Sequence, residues 1–354
     1  MAENVRTSLI RGLDWLVKQQ SADGGWNSTT YGQLKDGAAV TALALSAISH
    51  ADDDWRKAHR QTIERGFGFL DRGLAKRGTI ASPDGTLDFP TYAAALWLMA
   101  GRRFGPDEQS QSRRQIVIDY LLNAQVAKAR GFEPDSPSYG GWDFLGRDDA
   151  RAITTGTNMS ITCYVVEALA GVRSQESGVR SQAIDLAMGL AKAYVLRCQQ
   201  ADGGFAFTCE PASLNNKAAY RDEKLKQPRP YGTATCDGVR ALVACGLKPT
   251  DEPVAKGLTW LANRPGLEIV PGFEGLAAEF GWQRGLRYYY YASLSKVLPH
   301  LPDRGVRTAA LHEQLLSQQK PDGSWTNESD RMRENDPLVA TPLALEALVG
   351  VSGN

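Results

Sequence analysis

The sequence predicts an all-α fold, a six-repeat (α/α)6 toroid or barrel with an inner and an outer ring of helices. Three observations lead there. A short motif recurs along all 354 residues, each copy joins an amphipathic helix to an apolar one, and six such pairs can close on themselves. A helix that is apolar on every side must be buried on every side. Closure into a ring supplies that burial and removes the need for capping repeats at the ends. One domain over residues 1–354 follows, with repeats at roughly 1–50, 51–104, 105–172, 173–247, 248–302 and 303–354.

The first copy reads Gly12-Leu13-Asp14-Trp15-Leu16-Val17-Lys18-Gln19 and runs on to Asp23-Gly24-Gly25-Trp26. Its helix, Val5 to Gln20, puts Leu9, Leu13, Leu16 and Val17 at helical spacing, with Arg6, Arg11, Asp14 and Lys18 elsewhere. The Asp-Gly turn ends it, and the apolar partner spans Ala38 to Leu45. Asp52-Asp53-Asp54 lies between an inner and an outer helix and is expected to cap the helix that begins at Trp55. The second copy centres on Gly66, Phe69 and Leu70, with Tyr92 to Leu98 as partner. The third, Tyr120 to Gln125, pairs with Ser160 to Val166. Val195 to Phe205 is the fourth, Gly257 to Leu261 the fifth, and Leu315 to Trp325 the sixth, followed by Leu338 to Leu345. With Trp15, Phe69, Leu121, Val195, Trp260 and Leu315 as equivalents, the spacings are 54, 52, 74, 65 and 55. The two long intervals hold insertions, roughly 126–157 and 207–230. Gln19, Gln125, Gln199 and Gln318 at outer-helix ends, and Trp26, Trp142 and Trp325 after the turns, read as structural.

Composition narrows the function. Forty basic and forty acidic side chains leave a net charge of zero, which excludes the electrostatic footprint of a nucleic-acid binder or a polybasic membrane-surface protein. The N-terminus, Met1 to Arg6, carries an acidic residue and no apolar run, unlike a secretory signal, and no stretch has the length of a membrane-spanning helix. Cys163, Cys198, Cys209, Cys236 and Cys245 are odd in number and unpaired in spacing, so free thiols and a cytoplasmic location are expected.

The pattern Gly-x-x-aromatic-Leu-x-x-Gln followed by Gly-x-Trp resembles the QW repeat of squalene–hopene and oxidosqualene cyclases, and the related repeat of protein prenyltransferase beta subunits. The copy from Gly12 to Trp26 fits without a gap, and the likeness spans the chain at repeat level. The resemblance implies a terpenoid cyclase-like toroid that acts on or binds an isoprenoid or other apolar ligand in its central cavity. The opposing expectation is a non-catalytic toroid that binds a lipid, peptide or protein there. Class II terpene cyclases protonate an alkene with an Asp-x-Asp-Asp-Thr-Ala motif. Here Asp36-Gly37-Ala38-Ala39-Val40-Thr41-Ala42 is the nearest match, with Ala39 and Val40 at the paired carboxylate positions. Prenyltransferases hold zinc with an Asp-x-Cys pair and a histidine. In this chain Thr235-Cys236-Asp237 has the two ligand types adjacent and reversed, with Tyr289 near the histidine position. Neither a metal nor another cofactor is expected. Gly-x-Ser-x-Gly, His-Glu-x-x-His and Walker motifs do not occur.

In such a toroid every outer-to-inner loop lies on one face, where the inner helices begin and their free amides favour an anionic group. Lys35, Asp36, Asp143, Arg147 to Arg151, and Arg331 to Asp336 fall at this mouth. Asp36, Asp237 and Asp336 are the candidate general acids, a role that needs a carboxyl pKa raised by burial. Asn158, Arg240, Arg287 and Arg333 are candidate substrate contacts at the rim. Tyr92, Trp97, Tyr164, Tyr288 and Tyr289 are candidates within, since aromatic faces stabilise a desolvated cation by about 2 kcal/mol. Each has a plainer reading: aspartates cap helices and pair with arginines, and rings fill the core. Of the run Tyr288 to Tyr291, at most two can line a cavity. The expected partner is an apolar small molecule, an isoprenoid by the resemblance, with peripheral membrane association as an option and nucleic acid excluded.

Overall fold

The first, third, fourth and sixth motif copies build the same corner. In a computed structural model, which describes residues 2–77, 80, 88–104, 108–146, 156–210, 217–218, 220–222, 227–276 and 281–350, helix α1 (Ala2–Gln19) ends in a turn at Gly24. Gly24 takes φ +94°, and a side chain there would meet the Arg65 carbonyl at 2.6 Å, so only glycine fits. The turn delivers Trp26, wholly buried, whose Nε1 donates to the Leu16 carbonyl (2.8 Å) and whose backbone N–H donates to Thr41 Oγ1 (2.8 Å). Trp142 repeats this with Leu121 and Thr162, and Trp325 with Leu315 and Thr341. Phe205 keeps the backbone bond to Thr235.

These tryptophans explain the motif glycine. A Cβ at Gly66 would lie 3.0 Å from the Trp26 ring, and one at Gly12 2.8 Å from the Trp325 ring. Glycine in one repeat and tryptophan in the preceding one are thus two halves of a joint. A glutamine completes it. Gln20, Gln125, Gln199 and Gln319 each donate to a carbonyl of their own turn and to one in the next outer helix: Thr62, Ala187, Pro253 and Ser8. The clasp is always the first residue past the helix, so in the first and last copies it is Gln20 and Gln319. Gln19 is exposed instead, and Gln318 donates to Gln314.

In chain order the helices after α1 are α2 (Ala38–Ile48), α3 (Asp53–Ala58), α4 (Arg60–Arg77), α5 (Pro90–Phe104), α6 (Glu108–Ala124) and α7 (Met159–Val172). Then come α8 (Gly178–Cys198), α9 (Gly232–Ala244), α10 (Glu252–Ala262), α11 (Trp282–Gly285), α12 (Arg287–Val297), α13 (Arg304–Gln318) and α14 (Pro337–Gly350). As expected, Asp52 caps α3, accepting from the Trp55 N–H. Inner helices pack α2 on α5, α5 on α7, α7 on α9, α9 on α12, α12 on α14, and α14 back on α2. Outside them, α1 packs on α13, α4 on α6 and α6 on α8. The insertion at 207–230 adds what a helical reading does not anticipate, the short antiparallel strands β1 (Tyr220–Asp222) and β2 (Gln227–Pro228). No described helix is long and apolar enough to cross a membrane.

The ends of the ring differ. Residues from the C-terminal ends of all these inner helices, including His50, Arg103, Gly171, Ala244, Lys296 and Gly350, line one cavity of about 640 Å³. The inner helices begin at the opposite mouth, at Ala38, Pro90, Met159, Gly232, Arg287 and Pro337.

Candidate active site

Inside the ring, the otherwise apolar helices α7, α9, α12 and α14 carry ionisable side chains towards their neighbours. On α9, Asp237 and Arg240 are three residues apart and share a face. Arg240 makes a two-pronged contact with Glu167 of α7, Nε to Oε1 at 2.9 Å and Nη2 to Oε2 at 2.6 Å. Its Nη1 reaches Asp237 Oδ1 at 2.9 Å. From α12, Ser293 Oγ donates to Asp237 Oδ1 (2.7 Å), and Tyr289 Oη lies 2.9 Å from Oδ2.

A buried carboxylate, Asp237, and a half-buried one, Glu167, therefore share one guanidinium. Burial works against ionisation of Glu167, but Arg240 prevails and holds its carboxyl below the usual range. Asp237, fully buried, is pushed up by that burial, with Arg240, Ser293 and Tyr289 only partly opposing it. Of the two carboxyls, Asp237 therefore holds a proton more strongly than Glu167, since burial pushes it up while Arg240 keeps Glu167 low.

Aromatic rings lead from this acid to the mouth. Tyr289 stacks near Tyr164 (centroids 6.3 Å apart), and Tyr164 meets Tyr92 edge-on at 5.4 Å. Tyr92 donates to Ser160 Oγ at 2.7 Å, and Ser160 donates to Asn158 Oδ1 at 2.9 Å. Half-buried Phe89 and Phe144 continue the cluster from Tyr92 outwards. The Arg333 guanidinium, on a residue with φ +60°, lies over Phe89 and Tyr31. Across the mouth the Lys217 ammonium lies over the Phe207 ring at 3.3 Å and over Trp282 at 5.4 Å. Burial lowers the Lys217 pKa to about 7, partly offset by Asp237.

Below the tyrosines the interior is charged. Lys296 pairs with Glu346 at 2.9 Å, and Ser46 donates to the other Glu346 oxygen at 2.6 Å. Burial raises Glu346, but Lys296, His50 and Ser46 outweigh it and leave the carboxyl at about 2. The expected apolar barrel is thus corrected. Side chains from α5, α7, α9 and α12 fill its waist with hydrogen-bonded tyrosines and ion pairs. Among the described residues, no group of three or more His, Cys, Asp or Glu side chains could hold a metal ion.

The sequence matches the prenyltransferase alpha-alpha toroid domain over residues 3–81 and 89–278. The chain belongs to that family. No curated protein sequence matches it significantly. Among solved structures, a variant of the type II terpene cyclase MstE from Scytonema, in complex with its product merosterolic acid A, aligns with a TM-score of 0.63 and 15% identity over 99% of this chain and 97% of that one. A glycoside hydrolase family 76 mannosidase from Bacteroides thetaiotaomicron aligns at 0.56 and 10% identity over 98% and 97%. The Lin0763 protein from Listeria innocua gives 0.56 and 13% over 96% and 97%. At these identities the likeness is one of fold alone.

Within this prenyltransferase toroid, Asp237, Arg240, Tyr92, Asn158, Tyr164 and Tyr289 come together, though Arg240 lies in the interior and not at the rim. Asn158 also caps α7 by accepting from the Ile161 N–H. The other candidates fall elsewhere. Asp336 caps α14 through the Leu338 N–H (2.9 Å) and accepts from Ser28 (2.5 Å). Asp36 is half-buried in the turn before α2, whose first N–H donates to Asp88 instead. Trp97 turns outward, edge-on to Phe67 of α4. Tyr288 donates to the Thr326 carbonyl, so of the four tyrosines Tyr289 is the one that reaches Asp237. Arg287 pairs with exposed Glu328. Arg147, Asp148, Asp149 and Arg151 lie outside the described residues.

Sequence reasoning missed Glu167, Ser293, Lys296, Glu346 and Lys217, and named Glu334 only within the charged run Arg331 to Asp336. A lone ionisable residue in an apolar helix must find a partner, which was the available signal for Glu167, Lys296 and Glu346. Glu334 gave none. It accepts the Tyr288 and Tyr289 N–H groups from a remote loop, and burial lifts its pKa to about 7.

Proposed function

We propose that this toroid is a terpene cyclase-like enzyme that protonates an alkene of an isoprenoid, with Asp237 as the acid and Tyr289 as the group that delivers the proton. One observation carries this reading: a fully buried carboxyl bonded to a tyrosine at the inner end of a cluster of aromatic rings. Asp237 passes its proton to Tyr289 Oη while the tyrosine proton moves to the double bond. The π electron pair forms the new C–H bond and leaves a carbocation. Tyr92 and Tyr164 face that charge with their ring quadrupoles. Loss of a proton from the cyclised cation to the Asp237 carboxylate restores the acid, so the net reaction is an isomerisation. Lys217 and Arg333 hold an anionic or polar end of the substrate at the mouth. A variant of the structural neighbour MstE binds geranylgeranyl dihydroxybenzoate as substrate, which favours a prenyl chain with a polar head as the class to try.

Incubation with squalene, farnesyl diphosphate and geranylgeranyl diphosphate, followed by mass spectrometry of extracts, tests the reading. Turnover is expected with at least one of them. Asp237→Asn should then lower kcat by about 100-fold or more, the usual worth of a general acid. Asp36→Asn and Asp336→Asn should leave it within a few-fold. No product and no co-purifying lipid would reject the terpenoid reading. The filled waist favours a second reading, a non-catalytic toroid that binds a lipid, peptide or protein at its mouth. Lipid that co-purifies without ever turning over is the outcome that selects it.

A further inference from the structure

We propose that the groove between α3, α4, α5 and α6, on the outside of the ring, binds an anionic amphiphile: one apolar or aromatic body carrying a phosphate- or carboxylate-type group. The groove has a volume of about 770 Å³, the scale of a small-molecule site. Its floor is apolar, made by Ile63, Phe67, Trp97 and Phe104. Trp97 is the ring that the sequence placed in the central cavity and the fold turns outward.

The rim is strongly basic. Seven arginine and lysine side chains line the groove against three carboxylates, on a chain whose net charge is zero. Some are already paired: Arg56 with Asp53, Arg60 with Glu64, and Arg113 with Asp71. Among the described residues, Arg102, Arg103 and Arg114 have no carboxylate in ion-pair range. Arg102 donates to the Gly171 carbonyl, Arg103 to Ser49, and Arg114 to Gln175. Attraction to the C-terminal end of α5 accounts for Arg102 and Arg103, but Arg114 lies in the middle of α6. Two donors in the groove wall also lack acceptors, the buried Trp97 Nε1 and Arg114 Nε. Unpaired cations, orphaned N–H groups and an aromatic floor together favour a ligand that brings acceptor oxygens and apolar surface. This site is separate from Asp237 and does not depend on any reaction there.

Dodecyl phosphate below its micelle concentration is a suitable probe, with dodecanol and inorganic phosphate as controls, read by calorimetry. One-to-one saturable binding is expected for dodecyl phosphate, weaker by about 10-fold or more for either control, and weakening further as salt is added. Arg102→Gln and Arg114→Gln should each weaken it about 10-fold, the effect of one charge-assisted hydrogen bond. Trp97→Phe should remove most of the fluorescence change, which identifies the reporter among eight tryptophans. Circular dichroism melts of the variants keep folding separate from binding. Equal affinity for dodecanol, unchanged affinity in both folded arginine variants, or loss through Arg333→Gln instead would each overturn the proposal. So would co-sedimentation with phosphatidic acid vesicles without saturable binding of the monomeric phosphate, which would make the groove a membrane contact.

Discussion

Arg240 is the residue on which the interior balance rests. It serves Glu167 and Asp237 at once and lies over the Tyr164 ring, its Cζ 5.3 Å from the centroid. Removing one partner of a buried ion pair strands the other, so Arg240→Met should destabilise the fold by about 3–5 kcal/mol in urea denaturation. Adding Glu167→Gln should recover part of that, since the strongest stranded charge is then gone. His50 makes a second residue-scale prediction. Burial holds its pKa at about 4 against 6.5 in the unfolded chain. Between those values the unfolded chain binds a proton that the folded one does not, so stability falls as pH drops from 6.5 towards 4, by up to about 3 kcal/mol. Glu346, held at about 2 against 4.5, adds a further loss below pH 4.5. Thermal melts of His50→Gln should be flatter from pH 6.5 to 4 than those of the parent. At this scale the sequence was half legible. Asp237 stood out beside Cys236 near the start of an inner helix, whereas Glu167 and Glu346 each stand one residue past the apolar runs Ser160 to Val166 and Leu338 to Leu345 and drew no notice. The capping roles of Asp88 and Glu334 were illegible because each caps a helix from far along the chain.

At the scale of elements, the motif was legible in nearly all its parts because each part answers a local need. The turn requires glycine, the indole requires a carbonyl, and the next helix requires a glycine under the indole. Gly66→Ala sets a methyl 3.0 Å from Trp26 and Leu45. Overpacking of this kind lowers stability by about 1–3 kcal/mol, to be read from the denaturation midpoint at constant slope. At Gly68, two residues on, a Cβ would meet only Arg72 Nη1, at 3.9 Å, so Gly68→Ala in the same helix should be neutral or stabilising. Such a reversal within one helix distinguishes a joint from a simple propensity effect. The clasp glutamines were misplaced by one residue in two copies, since a Gln-Gln pair hides which member follows the helix end. The strands β1 and β2 left no trace in helical periodicity, being three and two residues long.

At the scale of the molecule, closure was inferred from helices apolar on every side and is realised by α14 packing on α2 and α1 on α13. Helix α1 also packs along α14, which brings the two ends of the described chain to the same side of the ring. A circular permutant that joins those ends through a short linker and opens at Asp303, between α12 and α13, should keep its helical circular dichroism and cooperative melt. Loss of folding in that permutant would mean that chain order, and not closure, sets the architecture. The Gln319–Ser8 clasp spans 311 residues, so the seam of the ring joins its most distant parts. On the ribosome this has a plain meaning. Until α14 emerges, α2 and α12 each present an uncovered apolar side, and the growing chain is an open crescent. Such a chain exposes aggregation-prone surface throughout its synthesis and hides it in one late step. Its yield in a cell should therefore track chaperone supply more closely than the stability of the finished ring.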